Sequence, residues 1–262
     1  MAIHLVDCHF FITLAFETIN LDAMKRLFLT IFAIFSALTL WAQEPEGIIT
    51  QSGPITERLS SFCAIDVNAP IKLKLIKIDS TETPYIVYDT KGCYTSKFTF
   101  EVIKRDGGIL KIDERSDSKR ETITEVEVYF NELTDISISK ADVTVEGTLT
   151  SSLLDLNITN DSHFVADIDA LDIVVIASGR CCIVLSGSAR YQTADISTAD
   201  YNASKLTTVS TVAQSAHNAM VKVYASERLE AKTSTGGKIL YAVEPVILRS
   251  AITLFGGDIK PL

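Results

Sequence analysis

The chain has 262 residues, with 24 Lys/Arg against 33 Asp/Glu and a net charge of −9. An acidic chain without a Lys/Arg cluster lacks the electrostatic footprint of a nucleic-acid binder and suits an anionic membrane surface poorly. Beyond the N-terminal segment no apolar run reaches about 18 residues, so no second membrane-spanning helix is expected.

Met24-Lys25-Arg26 precedes fourteen uncharged residues, Leu27 to Leu40, and then Trp41-Ala42-Gln43-Glu44-Pro45. A basic start, a short apolar stretch and a small residue before a polar start describe a secretory signal peptide over 24–42, cleaved after Ala42. Residues 1–23 carry Asp7, Glu17 and Asp22 where such a signal needs positive charge, and read as an upstream extension ahead of a true start at Met24. The alternative is a two-part membrane anchor. No Cys follows the apolar stretch, which argues against a lipid anchor. The expected mature chain, Gln43 to Leu262, loses two Lys/Arg and three Asp/Glu, so its charge becomes −8.

Residues 43–61 are polar, contain Pro45, Gly47, Gly53 and Pro54, and read as a flexible or extended leader. From 62 to 132 longer runs alternate apolar and polar residues, as in Ile71-Lys72-Leu73-Lys74-Leu75-Ile76-Lys77-Ile78. Such alternation predicts strands with one wet face, here an antiparallel sheet capping the C-terminal half of the chain. Asp106-Gly107-Gly108 predicts a hairpin turn between 98–102 and 109–112. The charged stretch 113–121 predicts a solvated loop.

Over 133–262 a turn signal recurs around Asp142, Ser162, Arg180, Asp200, Asn218, Gly237 and Gly257, at intervals of 20, 18, 20, 18, 19 and 20. Between the turns lie short β-branched runs such as Leu171-Asp172-Ile173-Val174-Val175-Ile176, and no Pro occurs from Leu133 to Val243. A fixed period near 20 without helical periodicity marks a β-solenoid whose rungs bury their apolar faces against one another. The fold class is therefore all-β: a right-handed parallel β-helix of about 19 residues per rung with an N-terminal antiparallel region.

The string Phe62-x-x-Ile65-x-Val67, then Ile71-x-Leu73, Gly108-Ile109-Leu110-Lys111-Ile112 and Leu133-Thr134-Asp135-Ile136-Ser137, followed by the repeats, resembles the auto-transporter adhesin, head GIN domain family. The resemblance covers nearly all of the mature chain. It implies an exported bacterial protein with a β-helical body, and carries no catalytic residues with it. The family's Ser-Gly-Ser-Gly corners are approached only at Ala177-Ser178-Gly179, Ser186-Gly187-Ser188, Thr235-Gly236-Gly237 and Phe255-Gly256-Gly257, which marks a divergent member.

Few residues point to chemistry. Asp155, Asp167, Asp169, Asp172, Asp195 and Asp200 fall on neighbouring rungs, where stacked carboxylates offer oxygen ligands to Ca²⁺ or an acid/base pair. The plainer reading is a solvated acidic surface with Asp at corners. His163 and His217 are expected as exposed corner residues. Cys181 and Cys182 point to opposite faces, one as a small buried hydrophobe. A Cys63–Cys93 bridge is open in an oxidising compartment. Tyr191, Tyr201, Tyr224 and Tyr241 read either as a sugar-stacking stripe or as cover for the solenoid ends. No catalytic, cofactor-binding or metal residues are assigned, and no cofactor is expected.

The expected function is a non-enzymatic exported envelope or surface protein, in the periplasm or outside the cell, presenting a polar β-helix face to a glycan or cell-surface protein. One alternative is a carbohydrate-active enzyme with an acidic groove across Asp155, Asp167, Asp169 and Asp172. Another is a periplasmic scaffold or sensor partner whose solenoid end stacks on itself, as a homo-oligomer, or on another protein.

Overall fold

A computed structural model describes residues 53–91, 97–115, 122–253 and 255–262. The expected signal peptide, the upstream extension, the first part of the leader and Cys93 lie outside the described residues. Among the described residues no α-helix forms.

The strands in chain order are β1 (Ile55–Arg58), β2 (Ala64–Asn68), β3 (Lys72–Lys77), β4 (Tyr85–Asp89), β5 (Phe98–Ile103), β6 (Ile109–Glu114), β7 (Glu125–Phe130) and β8 (Asp135–Ser139). Next in the chain are four long strands: β9 (Asp142–Thr159), β10 (His163–Ser178), β11 (Cys182–Ser197) and β12 (Asp200–Ala216). Then come β13 (Met220–Val223), β14 (Arg228–Ser234), β15 (Lys238–Tyr241), β16 (Ile247–Thr253) and β17 (Asp258–Pro261). Together they make a parallel β-solenoid of about seven turns with about 19 residues per rung.

Each long strand bends around the core and supplies three faces. The first face stacks β7, β3, the starts of β9 to β12, β13, β15 and β17. The second is built only by the middles of the long strands, around 148–153, 167–172, 186–191 and 205–210. The third stacks β6, β2, β8, the ends of β9 to β12, β14 and β16. Side chains alternate in and out along every run. The interior is accordingly a set of apolar columns, such as Leu73–Val143–Phe164–Ile183–Tyr201–Val221–Ile239, all buried.

The recurring turn signal is the corner between the third and first faces. At that corner Lys140, Asn160, Asp161, Arg180, Thr198, His217, Asn218 and Thr235 all have left-handed backbones, with φ between 47 and 66°. Corner amides bond to the next rung's carbonyls: Asn160 N to Ser178 O (3.2 Å), Arg180 N to Thr198 O (2.9 Å) and Thr198 N to Ala216 O (3.3 Å). Just inside sit the small buried residues Ala141, Ser162, Cys181, Ala199 and Ala219. The Cys181 thiol packs there, burial pushing its pKa up, while Cys182 is exposed. Small and polar residues mark the period because each corner needs a left-handed residue and then one with little side-chain volume.

The N-terminal region combines two kinds of pairing. Antiparallel pairs are present as β1–β4–β7 and β5–β6, the latter joined by the expected turn, where Asp106, Gly107 and Gly108 have φ of 50, 92 and 95°. β1 falls within the stretch that the sequence suggests as a leader. The strands β2 and β3, however, are solenoid strands: β2 lies parallel between β6 and β8, and β3 between β7 and β9. The earliest rung in the sequence is thus the second layer of the stack. Alternation in Ile71–Ile78 identifies a strand with a wet face and says nothing about the direction of its neighbours, so a wholly antiparallel cap is not what forms.

Candidate ligand-binding face

The second face carries the most regular polar surface. Register places Thr148, Asp167, Ser186 and Lys205 in one outward column and Thr150, Asp169, Ser188 and Thr207 in the next. Thr148 Oγ1 donates to Asp167 Oδ2 (2.8 Å) and Ser186 Oγ donates to Asp167 Oδ1 (2.9 Å). Ser188 Oγ donates to Asp169 Oδ1 (3.1 Å), and Thr207 Oγ1 to the Gly187 carbonyl (3.0 Å). Both oxygens of Asp167 are therefore engaged by hydroxyls one rung away on either side. These bonds fix rotamers that exposed side chains would otherwise sample, so the plateau is ordered before any ligand arrives.

At the next outward column stand Leu153, Asp172, Tyr191 and Ser210, in that order along the stack. Leu153, Leu171 and Tyr191 are exposed, and the Arg190 guanidinium lies 5.4 Å from the Tyr191 ring centroid. The plateau thus has a rim with apolar and aromatic surface.

The four carboxylates of the acidic-groove alternative do not converge. Asp167 and Asp169 lie on the plateau, bonded to hydroxyls, and Asp172 is on the rim. Asp155 lies on the third face, where it stacks one rung from Asp135. Partial burial, with the neighbouring charges of Asp135 and Asp172, pushes the Asp155 carboxyl above its ordinary value. Asp66, Asp106, Asp135 and Asp155 line one shallow groove with Ser137 and Asn157. Among the described residues no three His, Cys, Asp or Glu side chains converge as a metal site. Asp195 faces outward on the third face and Asp200 on the first. Asp135 is absent from the acidic residues that charge alone singles out, although its spacing of 20 residues from Asp155 is one rung. The i, i+19 spacing of Thr148, Asp167 and Ser186 is the sequence signal for the hydroxyl–carboxylate ladder.

On the first face His163 Nδ1 meets Asp142 Oδ1 at 2.8 Å, with Cys182 next in the column. His217 Nδ1 lies 3.0 Å from Ser197 Oγ at the corner. Both histidines are exposed, as expected. The tyrosines form neither a stripe nor an end cover. Tyr201 is fully buried and Tyr241 points inward, while Tyr191 is exposed on the rim. Tyr201 OH accepts a bond from Gln192 Nε2, and Gln192 Oε1 accepts one from Thr211 Oγ1 at 3.2 Å. Thr211 and Thr208 hydroxyls are 2.7 Å apart, and both reach the Tyr224 carbonyl. This polar chain inside the solenoid lets a tyrosine occupy a core column that holds Phe164 two rungs earlier.

The family model described as "Putative auto-transporter adhesin, head GIN domain" matches residues 61–245. The chain belongs to this family. Solved structures with the same fold include a putative adhesin from Bacteroides fragilis NCTC 9343, at 18% identity, covering 81% of this chain and 99% of that one, with a TM-score of 0.73. A putative lipid binding protein from Parabacteroides distasonis ATCC 8503 shares 18% identity over 80% and 97% of the two chains, TM-score 0.58. A putative adhesin from the same organism shares 17% identity over 79% and 96%, TM-score 0.59. No curated protein matches the sequence. Within the head GIN domain the plateau is built wholly by 148–210, inside the matched span.

Proposed function

We propose that this head GIN domain protein is an exported, non-enzymatic binding protein of the cell envelope or surface, using the second face to hold a glycan or a surface protein. The observation that carries the reading is the Thr148–Asp167–Ser186 hydroxyl–carboxylate ladder, which holds a flat polar surface in place beside an exposed tyrosine. The hydroxyl oxygens of Ser188 and Thr207, whose protons are already donated, and the second oxygen of Asp169 offer acceptors at a rung spacing of about 4.8 Å. Tyr191 supplies a ring face against which the apolar side of a sugar packs. Many weak contacts on an already ordered surface lose little entropy on binding. Export rests on the 24–42 signal sequence and agrees with adhesin family membership.

The test pairs localisation with binding. Protease treatment of intact cells cleaves the protein if it is outside, and a glycan array then gives hits that weaken about tenfold or more in Asp169→Ala and Tyr191→Ala without a change in melting temperature. Protection until the outer membrane is opened, together with an array that yields no hits, points instead to a periplasmic scaffold. The enzyme alternative has less support, because Asp167 is tied to hydroxyls on both sides. Polysaccharide cleavage abolished by Asp169→Asn would restore it.

A further inference from the structure

The two ends of the solenoid differ. At the N-terminal end the outer edges of β6 and β7 are taken up by antiparallel β5 and β4, and β1 pairs beyond β4. Tyr88, Phe98 and Phe100 pack together over that end, with ring centroids 5.0 to 5.9 Å apart. At the other end β16 pairs, among the described residues, only with β14, and β17 only with β15. All seven residues of β16 are exposed. Yet Leu248, Ser250 and Ile252 stand in register with buried Leu229, Ala231 and Thr233, so they are core positions left open. Val246 is 81% exposed and Phe255 91%.

We infer that the β16 edge is an interface for a second copy of this chain, paired head to head about a two-fold axis at Ser250. An open apolar strand edge is a template for another strand, and three observations select an identical one. The first is the strand's own symmetry. Antiparallel pairing centred on Ser250 sets Leu248 against Ile252 of the other copy twice, Ile247 against Thr253 and Arg249 against Ala251, with no like charges opposed. The second is charge. From Met220 to Leu262 there are six Lys/Arg and four Asp/Glu, so this end carries a slight positive excess while the whole chain stands at −9. Two copies meet here with least mutual repulsion. The third is closure. At the N-terminal end the rung edges of β6 and β7 are already covered by antiparallel β5 and β4, which leaves only the outer edges of β1 and β5 among the described residues. A head-to-tail stack therefore cannot continue the rungs in parallel, whereas pairing about a two-fold axis closes at a dimer. The inference is independent of what the second face binds, and would place two such faces on one elongated particle.

Residue 251 tests the register, since it is exposed, faces outward and is opposed to Arg249 of the other copy. Ala251→Lys places like charges together twice, and Ala251→Glu places opposite charges together twice. Sedimentation velocity across a wide concentration range should show a monomer–dimer equilibrium for the parent protein. Its Kd should be raised roughly tenfold by Ala251→Lys and lowered by Ala251→Glu. Circular dichroism spectra of the three should agree. Melting temperatures measured well below the dimer Kd should differ by no more than the pairing of residue 251 with Lys232 of the same chain accounts for, and the Glu variant keeps the test decisive should the Lys variant fold poorly. A monomer at every concentration, association indifferent to the charge at 251, or growth beyond the dimer would overturn the inference.

Discussion

Gly187 is the position at which the packing of one rung on the next is most directly testable. It lies where β11 turns from the first face to the second, with φ of +104°, between Ile168 and Leu206 in register. A Cβ built there would sit 2.9 Å from the Ile168 nitrogen and 3.0 Å from its carbonyl carbon, and closer still to its carbonyl oxygen. These are backbone atoms within a ladder, so they cannot turn aside as a side-chain tip would. Gly187→Ala therefore carries a backbone penalty of about 1–3 kcal/mol and costs about 1 kcal/mol for each ladder bond that must lengthen. Reduced freedom of the unfolded chain offsets about 0.4–1 kcal/mol of this. The net expectation is a loss of about 3 kcal/mol. Gly147 provides the control: its φ is +79° and an added Cβ meets nothing within 4 Å, so Gly147→Ala carries only the backbone strain, about 1–2 kcal/mol. Urea unfolding followed by far-ultraviolet circular dichroism gives both midpoints at a common slope. Equal midpoints for the two variants would mean that β10 and β11 do not approach as closely at this corner as described, and the steric argument would fail.

Tyr201→Phe removes the oxygen that accepts from Gln192 Nε2 inside the solenoid and should cost roughly 1–3 kcal/mol, because the amide donor is left buried without its partner. An unchanged melting temperature would show that the interior polar chain contributes nothing to stability. Asp155→Asn should be mildly stabilising at neutral pH, by less than about 1 kcal/mol given the partial exposure of the site. The sign comes from the raised native pKa. The folded state holds this proton more tightly than the unfolded state does, so stability from this group is present below the unfolded value and lost as pH rises through the native one. The variant's advantage should accordingly vanish at low pH and shrink in high salt. Melts from acid to neutral pH check it, and a gain that persists at the acid end would contradict the electrostatic cause.

The solenoid is legible in the sequence because its corners place demands on residue type. A left-handed position followed by a small buried residue writes Asn160-Asp161-Ser162, Gly179-Arg180-Cys181 and Thr198-Ala199 into the chain at a readable period. The order of the layers is not legible. Nothing in Ile65, Val67, Leu73 or Leu75 distinguishes a strand at the edge of the stack from one inserted between β6/β7 and β8/β9, since both bury the same face. The candidate site is half visible: Asp167 and Asp169 stand out by charge. Their partners are hydroxyls 19 residues away, and a Ser or Thr on a wet strand face attracts no notice until register sets it opposite a carboxylate. Tyr201 is misplaced by its sequence for a related reason, as its burial depends on Gln192 and Thr211 meeting it in the interior.

The interleaved second layer has a mechanical consequence. In the monomer, a pull on the C-terminal end meets β17 and β16, each held along one edge among the described residues, and the stack peels rung by rung as a zipper opens. A pull from the N-terminal side strips β1 from β4 and then reaches β2 and β3, which are clasped on both edges by strands later in the chain. Those two can leave only by shearing two ladders at once. A protein tethered by its N-terminal side would therefore pass tension into the part of the fold that resists it best, while in the monomer β16 and β17 are the first to yield.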